Sequence, residues 1–135
     1  LLLNTSELVR DKYPHIPEDT PLSQVIRITS ESTAAVFPVL DSEGRFQGLI
    51  DMDTFRIYLT KPSRYSKLKA CNVMEQPLDY VYDGEKMDSV LRKFDKTQAW
   101  RLPVIDNERK YLGFISKSRI LMAYRNELKE ISLED

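Results

Sequence analysis

The sequence is short of several residue types, and each shortage excludes something. Cys71 is the only cysteine, so no disulfide can form within the chain and a reducing compartment is the simpler setting. Beside Asn72 and Val73 it reads as a packed small residue, not a nucleophile. His15 is the only histidine, which excludes the usual multi-histidine zinc site. With four glycines and no Lys-Ser or Lys-Thr after a glycine run, there is no phosphate-binding loop. No serine sits in a nucleophile-elbow context. Asp51 and Asp53 are two apart, share no helix face and make a poor carboxylate pair. We therefore expect neither catalytic residues nor a metal. No apolar run is long enough to span a bilayer, and Leu1–Leu3 lack the basic flank of a signal peptide. An initiator Met is missing too, which fits a piece cut from a longer chain. Excess charge is also absent. Twenty basic residues against 21 acidic ones leave a net charge of −1, so nothing in the balance suggests a nucleic-acid or membrane-surface binder, and no nucleic-acid partner is expected.

What is present is a repeat. With 41% hydrophobic and 30% charged residues, the chain has the balance of a folded domain. Phe37-Pro38-Val39-Leu40-Asp41 returns 65 residues later as Leu102-Pro103-Val104-Ile105-Asp106. The same offset carries Gly48 onto Gly113, Ile50 onto Ile115, Leu22 onto Met87 and Val25 onto Val90. No gap is needed between Leu22 and Leu59. The resulting division is a leader over 1–15, a first repeat over 16–59, a connector over 60–76 and a second repeat over 77–135. The connector is basic at first and reads as a solvated crossing segment, part loop and part short helix.

Periodicity supplies the elements. Met87, Val90, Leu91 and Phe94 form one helical stripe, matched by Leu22, Val25, Ile26 and Thr29. Thr20-Pro21 reads as an N-cap with proline at the first helical position. Val36–Leu40 and Leu102–Ile105 read as strands. Polar turns follow, with Gly44 supplying positive φ in the first and Asn107 in the second. Strands over 45–50 and 110–115 come next, each carrying a glycine where a helix or a ligand approaches the backbone. Asp51 and Ser116 cap the closing helices. Phe55, Tyr58 and Leu59 form the buried face of the first, and Ile120, Leu121, Tyr124, Leu128 and Ile131 that of the second. A short helix through Leu8 and Val9 precedes Pro14. Short strands near Ile16 and Val81 complete a β-α-β-β-α order in each half. One such unit buries too little alone, so the two halves are expected to pair with pseudo-two-fold symmetry. Trp100 is expected to pack against the other repeat or a partner.

The doubled Phe-Pro-Val-Leu-Asp and Leu-Pro-Val-Ile-Asp motifs, each followed by a turn, a glycine strand and a capped helix, resemble the CBS domain. The chain from Val9 to about Arg125 is similar to a tandem CBS pair, or Bateman module. The resemblance implies a non-enzymatic α/β module that regulates an attached protein and often binds adenine nucleotides. The stretch Phe114–Ile120, continuing through Ala123-Tyr124-Arg125, also resembles the cytoplasmic C-terminal region of bacterial ClC-type chloride channels or transporters. That likeness implies a homodimeric tail on the cytoplasmic face of an inner-membrane protein, attached to a transmembrane domain and not itself inserted.

The family's ligand signature follows the glycine strand with Ser or Thr and, three residues on, Asp. The positions hold Asp51 and Thr54 in the first repeat and Ser116 and Arg119 in the second. Both repeats lack the ribose-binding Asp, and only the second keeps the hydroxyl. A helix start favours anions. The first repeat fills its own with Asp51 and Asp53, whereas the second offers Ser116, Lys117 and Arg119. Any adenine nucleotide is therefore expected at the second repeat, with Tyr80, Val81, Arg101, Leu102 and Pro103 lining the base slot. His15, Ile16, Phe37, Asp51 and Thr54 are the weaker equivalents.

Overall fold

A computed structural model describes residues 4–9 and 13–134. The expected leader residues Leu1–Leu3 lie outside them. The chain divides into two compact units, one holding residues 12–77 and 108–111, the other residues 1–11, 78–107 and 112–135.

In the first unit, β1 (Ile16–Pro17) runs parallel to β2 (Val36–Leu40), which pairs antiparallel with β3 (Phe46–Asp51). The expected alternation holds for β3, whose buried residues are Phe46, Gly48 and Ile50. By contrast β2 is buried along its whole length, as its apolar run requires of a central strand. Across this sheet lies α2 (Leu22–Ser30), burying Leu22, Val25 and Thr29. Pro21 itself is the N-cap, and no side chain caps this helix, so Thr20 does not act as expected. Its neighbour Leu22 donates instead to the Leu68 carbonyl, which the connector supplies.

The first closing helix is much shorter than its sequence pattern. It makes one α turn, α3 (Met52–Phe55), then a 3-10 turn over Arg56–Leu59. Phe55 is buried and Tyr58 half-buried, but Leu59 is exposed, so the expected three-residue face is incomplete. A second 3-10 turn (Pro62–Tyr65) and α4 (Ala70–Val73) make up the connector. Ala70 and Val73 join the core of this unit.

The second unit repeats the plan. Here β4 (Val81–Tyr82) runs parallel to β5 (Arg101–Ile105), which is hydrogen-bonded to β6 (Tyr111–Ser116). Over the sheet, α5 (Met87–Thr97) buries Met87, Val90 and Phe94, as its stripe predicts. The closing helix α6 (Lys117–Glu134) is long. Ile120 is buried and Tyr124 half-buried, but Leu121, Leu128 and Ile131 are 56%, 57% and 48% exposed. Only the first half of the expected buried face is therefore covered. Trp100 is 76% exposed.

The leader helix, α1 (Thr5–Leu8), belongs to this second unit although it precedes the first repeat. Leu8 enters the second core, and the Thr5 hydroxyl donates to the Glu85 carbonyl. The 65-residue offset lays α1 on α4, so each repeat's own preceding helix is packed in the unit of the other repeat.

The two hairpin turns differ in the residue that takes positive φ. Gly44 has φ 81° as expected, but its counterpart is Arg109 at φ 67°, not Asn107. Repeat symmetry fixes the position, and the second turn fills it with a residue that pays steric strain there.

Candidate functional site

The closing helices begin at equivalent places. In each, the first helical N–H donates to the carbonyl just before the central strand: Met52 to Ala35 at 3.0 Å, and Lys117 to Trp100 at 2.9 Å. In each, a capping side chain takes a further N–H: Asp51 from Asp53 at 2.9 Å, and Ser116 from Arg119 at 3.3 Å. Two of the N–H groups that a phosphate would otherwise meet are thus already used. Side-chain charge must decide whether an anion settles there.

On charge the two sites are opposite. In the first repeat Asp51 and Asp53 stand at the helix start, and the Thr54 hydroxyl donates to Glu75 at 2.5 Å and to the Asp51 carbonyl at 3.2 Å. Glu75 comes from the connector, whose backbone exchanges bonds of 2.8 and 2.7 Å with Leu49 on the edge of β3. Gln76 adds a bond to the Gln47 carbonyl at 2.8 Å. This β-bridge explains Gly48. A Cβ there would lie 2.8 Å from the Met74 sulfur and 2.9 Å from the Glu75 carbonyl. The approaching group is the chain's own connector, not a ligand.

In the second repeat Ser116 and Ser118 replace the two aspartates, and cations stand at neighbouring positions. Arg101, Lys117 and Arg119 stand where the first repeat has Val36, Met52 and Thr54. Arg101 opens β5, Ser116 ends β6, and the Lys117–Trp100 bond ties the helix start to that end of the sheet. The Nε of Arg119 is buried and has no hydrogen-bond partner among the described residues. A buried guanidinium nitrogen without an acceptor is unfavourable, and an anion at this point would satisfy it.

The proposed base-slot residues are placed differently from the charged ones. Val81, Leu102 and Pro103 are buried, as are Ile16 and Phe37 in the other unit. They form the floor of each sheet, so only strand edges are available to a flat ring. Tyr80 is half-buried, and its carbonyl accepts from Lys93 Nζ at 2.7 Å. Lys93 also bonds Glu85 at 2.9 Å and lies over the Tyr82 ring. Burial alone would raise the Glu85 carboxyl, but bonds from the Ser89 hydroxyl, the Tyr82 N–H and Lys93 outweigh it and hold it below its ordinary range. His15 is not brought to Asp51 and Thr54. It is exposed and lines a cavity of about 390 Å³ with Pro17, Glu18, Asp41 and Gly44, beyond the C-terminal ends of β1 and β2. Asp41 there is committed to Arg45, whose side-chain bond at 2.8 Å lowers its pKa. The buried Arg119 Nε and the β3 edge met by the connector were both missed from sequence; the contrast of Lys117 and Arg119 with Asp51 and Asp53 was visible in it. Among the described residues no cluster of His, Cys, Asp and Glu suits a metal ion.

Comparison with known proteins bears on this geometry. The CBS domain family model matches residues 6–61 and again 70–126. Among solved structures, CbpB in complex with c-di-AMP superposes with a TM-score of 0.82 at 16% identity, covering 100% of this chain and 93% of that one. The cytosolic domain of the Mg2+ channel MgtE in complex with ATP gives 0.73 at 18% identity, covering 89% and 48%. A conserved hypothetical protein from Geobacillus kaustophilus gives 0.76 at 13% identity, covering 94% and 99%. A curated homoserine O-acetyltransferase from Methanosarcina acetivorans is 19% identical over 116 residues. The chain spans 21% of that relative's length.

Proposed function

The chain belongs to the CBS domain family, with two copies in tandem, and from that premise we propose that it is a non-catalytic regulatory module whose second repeat senses an adenine nucleotide. One observation carries this reading: the buried Arg119 Nε, without a partner among the described residues, with Ser116 and Lys117 at the same helix start and Arg101 opening β5. Phosphate oxygens are the acceptors that best match a guanidinium fork flanked by an ammonium. Relatives crystallised with c-di-AMP and ATP support an adenine-bearing ligand. Because neither repeat has the ribose carboxylate, recognition would rest on phosphate more than on sugar. That favours ligands with several phosphates over AMP.

Calorimetric titration with AMP, ADP, ATP and c-di-AMP tests the reading. A phosphate-rich ligand should bind, and Arg119→Ala should weaken it about 10-fold or more, the scale of one charge-assisted contact. No heat from any of the four at millimolar concentration would end it.

A second reading is that the module is the cytoplasmic regulatory tail of a membrane transport protein, with dimerisation or ligand state coupled to the membrane domain. The likeness to the MgtE cytosolic domain favours transport in general; the chloride-transporter resemblance rests on the Phe114–Arg125 stretch alone. Among the described residues no helix is long and apolar enough to cross a membrane. Light scattering over a concentration series checks the homodimer this reading needs, and a strictly monomeric chain counts against it.

A further inference from the structure

The near-neutral total charge conceals a strongly basic local surface. Between Asp53 and Glu75 the chain has five basic residues, Arg56, Lys61, Arg64, Lys67 and Lys69, and no acidic one. All five are exposed. Lys69 lies 4.0 Å from Asp19, and Arg56 bonds the Asp53 carbonyl at 3.0 Å. Among the described residues, Lys61, Arg64 and Lys67 have no acidic partner.

This segment is held by an aromatic stack. Tyr58 packs on buried Phe55 with ring centroids 5.5 Å apart, and Tyr65 meets Tyr58 edge-on at 5.0 Å. The stack holds the two 3-10 turns, Arg56–Leu59 and Pro62–Tyr65, side by side. With Tyr58 directed inward, its neighbours Ile57 and Leu59 are left 61% and 41% exposed.

We propose that the surface over Arg56–Lys69 docks on an anionic lipid bilayer. Two kinds of exposed group belong to this stretch, cations and branched aliphatics, and a bilayer surface meets both. Its headgroups attract the cations, and the headgroup–acyl boundary accepts Ile57 and Leu59. A nucleic-acid backbone would match the cations but leave the aliphatics in water. Outside this stretch the chain is net acidic, so repulsion from the same bilayer would fix which edge approaches.

Co-sedimentation of the 135-residue chain with vesicles tests this. Vesicles of phosphatidylcholine mixed with phosphatidylglycerol should bind it, pure phosphatidylcholine should not, and added salt should weaken binding. Each neutralised cation should cost about five-fold, so Lys61→Gln/Arg64→Gln/Lys67→Gln should lose about a hundred-fold. Ile57→Ser/Leu59→Ser should lose the part of the binding that resists salt. All five side chains are exposed, so both variants should fold, and circular dichroism checks that they do. Equal binding to both vesicle types, no binding, an unaffected triple variant, or tighter binding to duplex DNA than to vesicles would each overturn the proposal.

Discussion

The two closing-helix starts have one backbone and opposite chemistry. In the first repeat the connector forms a β-bridge to β3 and brings Glu75 onto the Thr54 hydroxyl, so the position is met by the chain itself. In the second, Lys117 and Arg119 stand in the first turn, Arg101 opens β5, and the Arg119 Nε has no partner among the described residues. Duplication supplied two equivalent positions, and they carry side chains of opposite charge. A shared fold therefore does not imply a shared site, because the decisive side chains are few and lie outside the core.

The largest test of the equivalence is in the cores. Phe37 and Leu102 occupy matching buried positions in β2 and β5. Phe37→Ala should cost about 4 kcal/mol and Leu102→Ala about 3 kcal/mol, the order following the volume removed. Urea unfolding measures both, and a loss below 1 kcal/mol at either would break the equivalence. Next comes conversion of the second site toward the first. Ser116→Asp with Arg119→Thr should reduce nucleotide affinity on the order of 100-fold while barely moving the melting temperature. Retained affinity would show that the helix start is not where the ligand sits.

Gly48 sharpens the contrast at the sheet edge. Gly48→Ala pushes a methyl into the Glu75 carbonyl and should destabilise by about 2 kcal/mol. Protease nicking near residues 74–76 should rise in the same variant, and an unchanged melt would mean that the connector yields easily. At the turns, Arg109→Gly should be about 1 kcal/mol more stable than Arg109→Ala, since both lose the side chain but only glycine is at ease at φ 67°. Equal melts would remove the strain argument. The smallest effect is in pH. Glu85 has a lowered pKa, so its contribution is complete above the ordinary glutamate value of 4.5 and fades as pH falls through the lower folded value. Glu85→Gln should flatten that part of a thermal-melt pH series. Parallel curves for parent and variant would contradict it.

Much of the fold was legible because the repeat imposes one register on both halves. The Met87–Phe94 stripe, the Pro-Val strands and the Asp51 cap all lie where local chemistry puts them. Leu59, Leu121, Leu128 and Ile131 misled because periodicity reports a helix face but not what covers it. The Asn107 expectation followed residue preference, whereas the repeat pointed to Arg109. The charge contrast at the site was readable directly; Glu75 was not, since it arrives from 21 residues beyond Thr54 through a strand edge that no motif announces.

The placement of α1 and α4 has a consequence for dissecting the gene. The stretch of sequence that was duplicated is not the stretch that folds as a body. A fragment ending near residue 61 would carry α1 without its core and would lack Ala70 and Val73 from its own. A circular permutant opened between α1 and β1, with the old termini joined, would instead keep every residue of 12–77 contiguous and deliver α1 to the body it serves.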